Sequence, residues 1–102
     1  MKDEDRLYVI VRKDMGKSHR TVQAIHAAIN LLARHHGISQ NWDDVGPALV
    51  VYGATRAQLR RLEEVLPQPS TAFREPDWDN ALTAAAFYGR RLTAFDDLAL
   101  LK

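Results

Sequence analysis

The stretch LYVIV at residues 7–11 restricts the fold more than any other part of the chain. It is apolar throughout, β-branched at three of its five positions, and carries no polar alternation. A strand with that pattern cannot turn either face to water. It needs strands beside it and cover above and below, as inside a parallel or mixed sheet with helices on its faces. At 102 residues the chain suits one domain with a modest core. With 46% hydrophobic and 26% charged residues, it has enough apolar surface to fold rather than remain disordered.

Periodicity changes after this strand. Arg12, Lys13 and Asp14 mark its exit, and Gly16 permits a turn. From about Ser18 to His36, Val22, Ile25, Ile29 and Leu32 recur at spacings of three and four, which predicts a helix burying that stripe. Ser18 suits its N-cap and Gly37 the residue past its end. Residues 38–47 read as a polar loop containing Trp42. Residues 48–53 (ALVVYG) read as a second buried strand. Thr55 and Gln58 form a capping-box pattern ahead of a helix burying Leu59, Leu62 and Leu66. Arg56, Arg60 and Arg61 fall on its solvated side.

STAFRE and ALTAAAFYG predict two more strands, separated by the acidic turn EPDWDN. Alanine is a weak strand former, but a strand pressed under a helix can use small side chains. Leu92, Phe95, Leu98 and Leu101 in the tail suit a short amphipathic helix. The expected fold class is therefore α/β: one domain, residues 1–102, with a four-stranded mixed sheet in β-α-β-α-β-β order and helices on both faces. Ligands of such sheets bind at the carboxyl ends of strands. Here that edge carries RKDMGKSH.

On the first helix, at roughly 100° per residue, His19, Gln23, His26 and Asn30 form one polar stripe beside the apolar one. It begins next to Lys17 at the positive end of the helix, where an anion or a developing oxyanion is favoured. Each residue also has an ordinary reading: His26 as a half-buried packing residue, Lys17 as a solvated loop lysine, Gln23 and Asn30 as surface amides. Trp78 either plugs an apolar gap or presents a stacking surface. His19 and His26 stand two turns apart, about 10 Å, too far to share a metal ion. With no HExxH, CxxC, GxSxG or GxxxxGK[ST] pattern, no metal or cofactor is expected.

A net charge of +1 announces neither nucleic acid nor membrane, although Arg12, Lys13, Lys17, Arg20, Arg90 and Arg91 could form a local patch. The absence of cysteine excludes disulfides and thiolate zinc sites. The acidic start and the lack of a long apolar stretch argue against a signal peptide or a membrane span, giving a cytoplasmic expectation.

LYVIVRKDMGKSHRTVQAIHAA resembles the opening of the type 2 peptidyl-tRNA hydrolases: an apolar strand, Arg-x-Asp, a Lys-x-Lys pair, then a helix with Gln-x-x-His-Ala. Arg12 and Asp14, Lys17, then Gln23, His26 and Ala27 match in turn. His19 stands where the second lysine would. ALVVYGATRAQLRRLEEVL and ALTAAAFYG resemble later strands and a helix of the family, so the likeness runs to about residue 89. The resemblance implies that family's fold, a homodimer, and hydrolysis of the ester joining a peptide to tRNA. It places Lys17, His26 and Glu75 as catalytic residues. Arg12, Asp14, His19, Gln23 and Asp77 would surround the substrate, and no cofactor is implied. Lys17 would stabilise the oxyanion, and His26 would act as base or hold the water. EPDWD replaces the family's Asp-Ala-Gly-x-Thr loop. The alternative is therefore a homologue that binds tRNA, another nucleic acid or a protein without hydrolysis.

Overall fold

The computed structural model describes residues 5–40 and 48–101. The apolar run becomes strand β1 (Arg6–Arg12), buried from residue 7 onward. Parallel to it lies β2 (Ala48–Ala54), and antiparallel on its other side β4 (Ala81–Gly89). Strand β3 (Ser70–Glu75) pairs antiparallel with β4, and the two-residue β5 (Ala99–Leu100) with β2. The sheet order is β3-β4-β1-β2-β5, so the most apolar strand is central. This is one mixed α/β domain, and among the described residues no helix is long and apolar enough to cross a membrane.

The sheet has five strands rather than the expected four. The tail forms a 3-10 turn at Thr93–Phe95 and then β5 instead of an amphipathic helix. A 3-10 turn has a period of three, so it accommodates the spacing from Leu92 to Phe95 to Leu98. The free edge of β2 supplies the backbone partners, with the Leu101 N–H donating to the Val51 carbonyl at 3.0 Å.

Each face of the sheet carries a helix. Helix α3 (Arg56–Val65) lies on one face, where Leu59 and Leu62 pack fully buried among Tyr8, Ile10, Ala85, Phe87 and Phe95. Its start is the predicted capping box. The Gln58 N–H donates to Thr55 Oγ1 at 3.1 Å, and the Thr55 N–H donates to Gln58 Oε1 at 2.8 Å. Such a cap contributes about 1 kcal/mol. Leu66, expected in the buried stripe, is the half-buried C-cap.

Helix α1 (Lys17–Arg34) covers the other face, above β3, β4 and β1. It starts at Gly16, not Ser18, with no side-chain cap. It ends at Arg34, and Gly37 lies inside a further short helix, α2 (His36–Gln40), which takes up the first part of the expected loop. Trp42 and the rest of that loop lie outside the described residues.

The buried face of α1 also differs from expectation. Gln23, Ala27 and Leu31 are buried, while Val22, Ile25 and Ile29 are 46%, 53% and 57% exposed. The reason is close approach. Ala24, Ala27 and Ala28 on the helix share one apolar cluster with Ala84 and Ala86 on β4, and small side chains on both surfaces let the helix lie nearer than an isoleucine stripe would allow. Leu31, fully buried there, contributes roughly 1.5–3 kcal/mol. The helix leaves β2 uncovered on this face. An apolar groove remains, lined by Leu7, Val9, Ala24, Ile25, Leu49 and Val51.

Candidate functional site

Strands β1, β2 and β3 end, and β4 begins, at the same edge of the sheet. One irregularity shapes this edge. The β3–β4 register steps from Phe73 opposite Ala84 to Arg74 opposite Leu82, so Thr83 is an extra residue on β4. Such a bulge re-aims a side chain. It turns the fully buried Thr83 toward α1, where its hydroxyl donates to Gln23 Oε1 at 2.7 Å. The Gln23 amide in turn donates from Nε2 to Glu75 Oε1 at 2.9 Å.

This network explains why a glutamine occupies the helix face nearest the sheet. A buried hydroxyl needs an acceptor and the carboxylate needs a donor; an amide supplies both at once. Gln23 is only 3% exposed, so the pairing also removes the penalty of burying its polar atoms. Glu75, half-buried at the end of β3, is held with Oε2 free of any hydrogen bond among the described residues.

The other predicted residues distribute unevenly around this network. His26 is exposed and stacks on Phe73, with ring centroids 4.7 Å apart and planes 5° from parallel. His19 is exposed and meets Trp78 edge-on at 5.4 Å. Trp78 itself packs against the core on the α1 side, so it fills an apolar gap and also touches His19. Lys17 is the exposed first residue of α1, and Asp77 is exposed in the 3-10 turn Pro76–Trp78. Neither side chain has a hydrogen bond or ion pair among the described residues, and no hydrogen bond joins Lys17 or His26 to Glu75. Gln23 and Glu75 are thus brought together, while the three residues expected to be catalytic are not joined.

Arg12 and Asp14 form a site of their own. Arg12, 8% exposed, grips Asp14 through Nε at 3.0 Å and Nη2 at 2.9 Å. The guanidinium holds the Asp14 carboxyl below its ordinary range, chiefly through these hydrogen bonds. Arg12 falls on the α3 side, because side chains alternate along β1 from Ile10, and so stands away from Gln23 and Glu75. Arg91, expected in the same basic patch, pairs instead with Asp96 at 2.6 Å and the Tyr52 hydroxyl at 3.2 Å. Thr83 escaped the sequence reading. The one available signal was a lone hydroxyl residue inside the alanine-rich strand.

No family model matches the chain, and no curated protein matches it. The fold does have a counterpart among solved structures. It is similar to the protein of unknown function Atu0240 from Agrobacterium tumefaciens strain C58, with a TM-score of 0.66 over 97% of this chain and 98% of that one; at 14% sequence identity, the likeness is one of fold.

Proposed function

We propose that the chain binds single-stranded RNA along the start of α1 without hydrolysing an ester there. The observation that carries this reading is a pair of exposed imidazoles held by aromatic neighbours, His26 stacked on Phe73 and His19 edge-on to Trp78. Both stand on one edge of the helix that Lys17 begins. A ring held by an aromatic neighbour offers its free surface to a base, and stacking contributes roughly 1–3 kcal/mol per base. Lys17 adds a cation for the backbone. The test is binding of an uncharged tRNA across a salt series, with peptide release from a peptidyl-tRNA followed in parallel. Affinity is expected to fall with salt and to drop in His26→Ala and Lys17→Ala. Binding that ignores salt and both substitutions would defeat the proposal.

The hydrolase reading is kept as a second one because Gln23 fixes Glu75 beside the helix that carries His26. In it, water attacks the peptidyl ester while Lys17 and first-turn N–H groups steady the oxyanion. Peptide release above background, lost in Lys17→Ala, would favour it over binding alone. The homodimer implied by the resemblance would use the apolar groove beside Ile25 and Leu49, which leaves the two imidazoles accessible.

A further inference from the structure

On the opposite side of the same sheet edge, we propose a second site, built to hold a phosphate group. Arg12 at the end of β1, Arg74 at the end of β3, and Arg56 and Arg60 in the first turns of α3 surround a cleft of about 330 Å³ floored by Ala81 and Leu82. That size falls within the usual range for small-ligand clefts, roughly 300–1,000 Å³.

Two of the four arginines are anchored by hydrogen bonds and two are not. Arg12 commits Nε and Nη2 to Asp14 and keeps Nη1. Arg74 donates from Nη1 to the Asn80 carbonyl at 3.2 Å and from Nη2 to Glu63 at 2.7 Å, and keeps Nε. Arg56 and Arg60 have no hydrogen bond or ion pair among the described residues. They stand four apart on one helix face, an arrangement of like charges that destabilises a helix by a few tenths of a kcal/mol, roughly. A solvated helix face would account for Arg56 and Arg60 but not for Arg12, which is 8% exposed at the end of the central strand.

Charge identifies the ligand class. Four guanidinium groups face two carboxylates, Asp14 and Glu63, leaving two positive charges in excess. A phosphate monoester carries about −1.5 to −2 at pH 7 and three acceptor oxygens, which matches that excess where a single carboxylate would not. Guanidinium forks suit phosphate oxygens in geometry as well. Ala81 and Leu82 provide an apolar surface for the carbon skeleton bearing the phosphate. A backbone phosphodiester carries a single negative charge and does not match that excess, so the phosphate is that of a monoester.

The experiment uses adenosine 5′-monophosphate, adenosine and a short RNA without terminal phosphate, observed through the arginine Nε–H signals by NMR at low salt. The monophosphate should shift these signals saturably, and adenosine should not. Arg56→Gln/Arg60→Gln, with an unchanged amide spectrum, should weaken monophosphate binding at least tenfold; Lys17→Ala and His26→Ala should leave it intact, which separates this site from the RNA reading at α1. Binding of the RNA without terminal phosphate should be unaffected in the same double variant; if it weakens as much as monophosphate binding does, the site answers to any phosphate and the monoester assignment is overturned. Equal responses to adenosine and its monophosphate, or a folded double variant with wild-type affinity, would overturn the proposal.

Discussion

The two sides of α1 invert the usual placement of residues. On one side a glutamine is 3% exposed; two positions further along the chain, Ile25 is 53% exposed, and Ile29 follows at 57%. Polarity alone would turn the helix the other way. Shape and hydrogen bonding decide instead: alanines permit a close approach to β4, and the bulged Thr83 together with Glu75 gives each polar atom of the Gln23 amide a partner. Burying an amide costs less once both its oxygen and its nitrogen are paired, whereas leaving isoleucines at the rim forgoes only part of their transfer energy. The lesson is that a helix stripe is chosen by what lies beneath it as much as by its own hydrophobicity.

Substitutions on the two sides should therefore behave in opposite ways. The largest effect is expected for Gln23→Leu, which roughly keeps the volume but leaves the Thr83 hydroxyl only a 3.4 Å contact with the Phe73 carbonyl and the half-buried Glu75 carboxylate without its donor. A loss of about 3 kcal/mol should appear as a lower denaturant midpoint at unchanged slope. If the apolar replacement is neutral or stabilising, the network does not govern the orientation of the helix. Thr83→Val removes one hydroxyl at nearly constant volume and should cost about 1–2 kcal/mol in the same measurement. Combined with Gln23→Leu it should cost less than the sum, since both changes break one bond. A purely additive pair would show that the two side chains are not coupled.

The fold was legible wherever local pattern and tertiary demand agreed. LYVIV, the capping box of Thr55 and Gln58, and the strands STAFRE and ALTAAAFYG all stand at their expected places. It was illegible where the outcome depended on a partner distant in sequence. The rotation of α1 depends on Glu75 and Thr83, 52 and 60 residues from Gln23. The bulge that aims Thr83 has no local signature, and the tail became a strand because an open edge of β2 was available. The candidate site was legible in part: Gln23 and Glu75 meet, yet Arg12 and Asp14 of the same motif face the other side of the sheet.

Polar pairing with one partner in water should matter less. The Asp14 side chain is 51% exposed, so its pair with Arg12 is screened and contributes no more than about 1 kcal/mol. Its folded pKa is depressed, so this stabilisation is fully present above the ordinary aspartate value, about 3.9, and is lost as pH falls through the lower folded value. Thermal melts between pH 5 and pH 2 should accordingly be flatter for Asp14→Asn than for the parent; identical slopes would show the pair to be inert. Smallest of all in stability is Ile25→Asn, expected within about 0.5 kcal/mol of the parent. Its effect belongs to association: sedimentation should show weaker self-association if two copies share the groove. A large loss of stability in a monomer would mean that Ile25 is part of the core after all.

The extra residue in β4 has a consequence for insertions and deletions. Removing one residue from an interior strand ordinarily flips every side chain beyond it to the wrong face. Here Leu82 already faces α3 and Ala84 already faces α1, with Thr83 interposed between them. Excising Thr83 would restore a regular ladder and leave both cores correctly oriented. The hydroxyl beneath Gln23 is thus a removable module: a single codon lost or gained can switch the chemistry at this edge while the fold around it stays in register.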